Sequence, residues 1–152
     1  MSWINDQINS DNQQKKRETI LQDSLMYTWD SLLQKLQQDM DEINSKYKSE
    51  FGTIEFDSAP SAQSHDGNPR RIITKNQTLP ADYLEITLDY HRRNILYQWK
   101  RVEIANGNAL MKKRGKFTLA VNDSDEVILV HDDIQMDITK ASEILLRNIL
   151  TS

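Results

Sequence analysis

Residues 83–104 read YLEITLDYHRRNILYQWKRVEI, and the fold turns on how this stretch is paired. Leu84, Ile86, Leu88 and Tyr90 alternate with Glu85, Thr87 and Asp89; after HRR the alternation resumes as Ile95, Tyr97 and Trp99. A period of two with one apolar and one polar side marks antiparallel strands buried on a single face. A turn over residues 91–94 sets Tyr90 across from Ile95, Leu88 from Tyr97 and Ile86 from Trp99. The apolar faces then agree, and Glu85 falls opposite Lys100. Asn94 tolerates a positive φ and suits the end of such a loop. The successive polar residues Lys100 and Arg101 displace the apolar positions to Val102 and Ile104, which predicts a β-bulge.

Further strands flank this pair. RRIITK, residues 70–75, is a short strand, with QTLPAD as its turn. Asn106-Gly107 is a two-residue hairpin signal that places Ile104 across from Ala109 and Val102 from Met111. Lys113-Arg114-Gly115 fits a three-residue loop with glycine in the left-handed position, which would set Met111 against Phe117 and Ala109 against Leu119. VNDSDEV then turns residues 117–121 into residues 127–130. Residues 57–69, DSAPSAQSHDGNP, lack any large apolar side chain and read as a mobile loop holding His65.

Helices bracket the strands. Leu25, Trp29, Leu32, Leu36, Met40, Ile43 and Tyr47 recur at spacings of three and four, one apolar stripe on a helix. Neither Pro nor Gly precedes Gly52, so a long helix is expected over residues 18–51, closed by Gly52, with a shorter helical stretch over residues 3–8 before it. Asp137 or Thr139 caps a final helix over residues 138–150, with Ile144, Leu145, Asn148 and Ile149 on one side. The expectation is an α+β fold of two layers: a helical segment in residues 1–51, an antiparallel meander of five to six strands over residues 70–131, and a short C-terminal helix. At 152 residues the simplest organisation is one domain.

Composition excludes some chemistry. The chain has no cysteine, hence no disulfide, thiolate metal ligand or cysteine nucleophile. No apolar run approaches the length of a membrane span, and the first residues form no signal-peptide core, so a cytoplasmic protein without membrane contact is expected. The net charge of −4 is segregated: −6 over residues 1–68, +7 over residues 69–117 and −5 over residues 118–152.

That basic middle suggests where function lies. Its aromatics interleave with cations, as in a single-strand nucleic-acid platform, but the pairing puts Tyr97 and Trp99 on the apolar side, under the helices. The cations fare differently. If successive turns alternate ends, Arg70, Arg71, Arg92, Arg93, Lys113, Arg114 and Lys116 gather at one end of the sheet, opposite an acidic turn at Asp123, Asp125 and Glu126. Such an end can hold anionic groups by charge-assisted hydrogen bonds. Equally, these cations can be solvated side chains that keep sheet edges from pairing. The first functional expectation is a non-enzymatic binding module for nucleic acid or an acidic protein surface. The alternative is an assembly protein that homodimerises through its long helix or a sheet edge. His131-Asp132-Asp133 is the only fragment with a general-base or metal character, and neither HxH nor HExxH spacing supports it. Asp39 and Glu42 read as carboxylates on a solvated helix side. No phosphate-cradling glycine loop, nucleotide fingerprint or nucleophile elbow occurs, so no catalytic residue, metal or cofactor is expected.

Overall fold

A computed structural model describes residues 2–57, 67–75, 79–105 and 107–150. Helix α1 runs unbroken from Ser2 to Lys46, followed by a single turn α2, Lys48–Phe51. The break expected between the two N-terminal helical stretches does not exist. Residues 9–17 are polar, but they contain no helix breaker, and contacts one turn apart such as Gln7 Nε2 donating to Asp11 Oδ1 carry the helix through. Gly52 closes the helical segment with a positive φ of 75°, but its ψ of −162° is an extended, glycine-favoured conformation rather than a left-handed helical cap; its N–H donates to the Lys48 carbonyl.

Seven antiparallel strands follow in chain order: β1 Ile54–Phe56, β2 Arg70–Lys75, β3 Ala81–Asp89, β4 Asn94–Val102, β5 Leu110–Val121, β6 Val127–His131 and β7 Ile134–Met136. Helix α3, Ile138–Leu150, completes the fold. The α+β two-layer class is therefore right, with a slightly larger sheet than expected. Most of the expected 57–69 loop, His65 and Asn106 lie outside the described residues.

Three pairings differ from expectation. Met111 faces Lys100 rather than Val102, and since β4 ends at Val102 and β5 begins only at Leu110, the two-residue hairpin expected at Asn106-Gly107 does not form. In the β3–β4 hairpin Leu88 faces Ile95, Ile86 faces Tyr97 and Leu84 faces Trp99, while Glu85 faces Gln98 rather than Lys100. The slip is two residues, so every side chain keeps its face. The turn sits over residues 90–93 because Asp89 holds it: Asp89 Oδ1 accepts the His91 and Arg92 N–H groups, each at 3.1 Å. Arg93, not Asn94, takes the positive φ, at 56°.

The larger correction concerns Lys113-Arg114-Gly115, which is not a turn. It lies inside β5, with Gly115 beside Tyr97 and Arg114 beside Gln98. Gly115 is required by crowding: a Cβ there would sit 2.5 Å from Tyr97 Cζ and 2.8 Å from Cε1. The expected irregularity near Lys100 is present, but the register skips Lys112, so β5 carries the extra residue.

One row of side chains from each strand faces both helices. Leu25, Trp29, Leu32, Leu36 and Met40 of α1 and Ala141, Leu145, Leu146 and Ile149 of α3 close over Ile73, Leu84, Ile86, Leu88, Ile95, Tyr97, Phe117, Leu119 and Leu129. The expected α1 stripe buries as far as Met40, with Ile43 half-buried and Tyr47 exposed, and in α3 Leu145 and Ile149 are joined by Ala141 and Leu146 while Ile144 and Asn148 are only half-buried. Asp39 is only partly exposed: it accepts the hydroxyl of fully buried Ser142 at 2.7 Å and pairs with Lys35 Nζ at 3.0 Å, tying α1 to α3. Asn44 fixes where the sheet begins, its side-chain amide pairing both backbone groups of Ile54 at 2.7 and 2.9 Å. Lys75, itself buried, donates to the Ile149 carbonyl at 2.9 Å and so neutralises the negative end of α3.

Candidate functional site

Because β5 is one strand, the end-to-end charge separation does not arise. Asn94 pairs with Thr118, and the Leu119 N–H donates to the Arg93 carbonyl. The acidic turn over residues 122–126 therefore lies at the same end as Arg92 and Arg93. Arg71 leaves the set as well: it belongs to the row that faces the helices, its guanidinium 4.2 Å over the Phe56 ring. Lys113 shares the helix-side row of Trp99.

What the structure gathers is a face rather than an end. Arg70, Thr87, Leu96 and Lys116 form one row across β2 to β5, and Ile72, Glu85, Gln98 and Arg114 form the next. Directly paired residues share a side of the sheet, and these two rows lie opposite the buried one. No residue of either row belongs to the core cluster beneath the helices. Tyr83 and Lys100 continue the face as a third row. Lys100 is not among the seven expected cations because the sequence reading assigns it to the bulge, although the plain alternation Leu96, Gln98, Lys100 places it here.

The electrostatics of this face are uneven. Glu85, at its centre, is held by Arg70 at 3.6 Å and Lys100 at 3.7 Å. Arg114 and Lys116 are exposed, and no ion pair is seen for either among the described residues. Arg92, also exposed, reaches Asp89 at 3.6 Å and lines a cleft of ≈ 230 Å³ with Asn68, Glu85, Thr87, Asp89, Leu96 and Gln98. Half-buried Leu96 and Ile72 lie between the cations. Neighbouring strands are about 4.8 Å apart, so the row from Arg70 to Lys116 spans about 14 Å.

The other candidate was His131 with its aspartates. His131 Nε2 shares a 2.7 Å hydrogen bond with Tyr97 Oη, and Asp132 Oδ2 lies 3.5 Å from Nδ1. The order carboxylate, imidazole, hydroxyl resembles a relay, yet Tyr97 is 1% exposed and offers no approach to a substrate. Burial, reinforced by the Asp132 charge, raises the Tyr97 pKa above 10.0, the wrong direction for an activated nucleophile. Tyr97 and His131 form an internal polar pin, the imidazole tilted against Phe117 with ring centroids 4.9 Å apart, while the Asp132 side chain is 85% exposed.

Asp132 and Asp133 have a backbone task. With φ of 50° and 64° they form the two-residue loop of the β6–β7 hairpin, where His131 pairs with Ile134. Asp133→Gly is expected to stabilise the protein by about 0.5–1 kcal/mol, since glycine takes this conformation without a Cβ penalty. Urea unfolding checks it, and a loss of stability would refute the assignment.

Among the described residues no group of three or more His, Asp and Glu is placed to hold a metal ion, and no helix is long and apolar enough to cross a membrane. Comparison with protein-family models, curated proteins and solved structures returned no match.

Proposed function

We propose that the chain is a binding module whose sheet face turned away from both helices takes an acidic surface of another protein. The observation that supports this most is the sharing of one helix-free face by Arg70, Lys100, Arg114 and Lys116, with half-buried Leu96 in their midst. Exposed Arg114 and Lys116 stand beside half-buried Leu96, while Arg70 and Lys100 are paired with Glu85; charged groups next to a drier patch match the anatomy of a protein interface. Nucleic acid fits less well. Tyr83 is the only aromatic residue among these three rows, and Tyr97 and Trp99 are turned to the helices, so the face offers bases little to stack on.

The test uses two labelled probes, an amphipathic peptide of alternating Glu and Leu and a single-stranded RNA, titrated with the full chain in fluorescence anisotropy. The peptide is expected to bind in a salt-sensitive manner, and Arg114→Glu/Lys116→Glu to weaken it by about tenfold or more. Both side chains are exposed and mid-strand, so the fold survives their reversal. Tighter binding of the RNA, or a double variant that binds like the parent chain, would overturn the proposal.

A further inference from the structure

Strand β5 has a neighbour on both sides over only part of its length. β4 runs beside it from Leu110 to Thr118, whereas β6 pairs with it from Thr118 to Val121. β6 stops at His131 and turns away through Asp132-Asp133 into β7. Leu110–Lys116 is therefore a free edge of about 23 Å at the usual strand rise. All its side chains are exposed, and Gly115 is half-buried.

The direction of the backbone groups along this edge follows from one bond. The Leu119 N–H donates to the Arg93 carbonyl, so Leu119 turns its N–H and C=O toward β4. An antiparallel ladder repeats this every second residue. Phe117, Gly115 and Lys113 then also bond toward β4, and Thr118, Lys116 and Arg114 point the other way. β6 meets Thr118. Lys116 and Arg114 direct their N–H and C=O groups into the gap beyond it, and among the described residues no backbone hydrogen bond from another segment reaches either.

A row of unpaired backbone groups is a template for a further strand. β5 carries Lys112, Lys113, Arg114 and Lys116 and no carboxylate, so two copies of this edge laid together would oppose cation to cation. An acidic strand meets no such barrier. We infer that the acidic partner enters as an extended segment, antiparallel along Leu110–Lys116 and in line with β6, so that the sheet gains a strand. This rests on the binding proposed above and adds its mode. Residues of the segment directly across from Arg114 and Lys116 share the face of those two cations. Acidic side chains there meet unlike charge while the backbones exchange hydrogen bonds. The residue between them lies on the helix side, across from Gly115 and beside Tyr97. Asp132 and Asp133 stand at the Lys116 end of the gap, which makes Arg114 the more favourable of the two positions for an acid. Acidic and uncharged residues in alternation are what this edge selects.

The alternating Glu-Leu peptide, in two N-methylated forms, supplies the test with the full chain. Peptide residues across from Arg114 and Lys116 turn their own N–H groups to β5, and these are the glutamates; the leucine N–H groups point away. Methylating the glutamate nitrogens is expected to weaken binding by about tenfold or more. Methylating the leucine nitrogens should leave it unchanged. In amide hydrogen exchange followed by NMR, Arg114 and Lys116 should exchange faster than Gly115 in the free chain. Saturating unmodified peptide should slow both by about tenfold or more. Salt-sensitive binding that is equal for the two methylated peptides, or that leaves Arg114 and Lys116 exchanging as before, overturns the added strand while the charged face stands. Failure of the unmodified peptide to bind overturns both.

Discussion

Gly115→Ala is expected to destabilise the protein by about 2–4 kcal/mol, a fall of roughly 10 °C in Tm for a chain of this size. The new Cβ would lie 2.5 Å from Tyr97 Cζ, a distance no side chain tolerates. Neither partner can yield: the backbone of Gly115 is fixed in register with Tyr97, and the ring is packed against Phe117 with centroids 5.5 Å apart. Displacing the ring also pulls its hydroxyl from His131 and leaves two half-buried polar groups without each other. The clash has a specific signature, because it should vanish when the ring does. In a Tyr97→Leu background, itself destabilised, Gly115→Ala should be nearly neutral. Thermal unfolding of the four chains in this cycle decides the matter. A Gly115→Ala variant as stable as its parent would show that the glycine serves something else.

Asp82→Ala should cost as much or more, about 3–5 kcal/mol, through charge rather than volume. Asp82 is 4% exposed. Its Oδ1 accepts Trp99 Nε1 at 3.0 Å and Arg101 Nε at 2.8 Å, and Oδ2 lies 3.4 Å from Arg101 Nη2. The fork-shaped guanidinium matches the carboxylate, and the hydrogen bond to Asp82 raises the Arg101 pKa above its usual value. Removing the carboxylate strands a guanidinium and an indole N–H at the edge of the core. Desolvation dominates this cost, so Asp82→Leu combined with Arg101→Met should recover most of it. If the double variant is as unstable as Asp82→Ala alone, the pair is not the source of the loss.

These two sites show what was legible in the sequence. The inward row of β3 and β4 came from alternation alone, and it survived a register two residues off because such a slip preserves faces. The register itself was hidden in a side chain: Asp89 caps the turn through two backbone N–H groups, and alternation carries no record of that. Gly115 misled for a related reason. A glycine behind two cations has the local look of a hairpin, while its cause is a ring eighteen positions earlier, opposite it only after folding. With β5 continuous, the later strands run the other way, and a supposed charged end becomes a charged face. Arg70, Arg114 and Lys116 share the face turned away from the helices; parity puts Arg71 and Lys113 on the other. Strands β1 and β7 hold three residues each, too few to display a period.

The bond from Lys75 to the Ile149 carbonyl joins positions 74 residues apart. During synthesis β2 leaves the ribosome long before α3 exists, and its ammonium then has no helix end to neutralise. An emerging chain can pair β2 with β3 and β4, but the part of that meander's apolar side that α3 covers stays bare until the helix arrives. Chaperone contact on the nascent chain should therefore persist until residue 149 clears the exit tunnel, and trimming α3 by a single turn should yield a sticky, protease-sensitive product rather than a shorter version of the same protein.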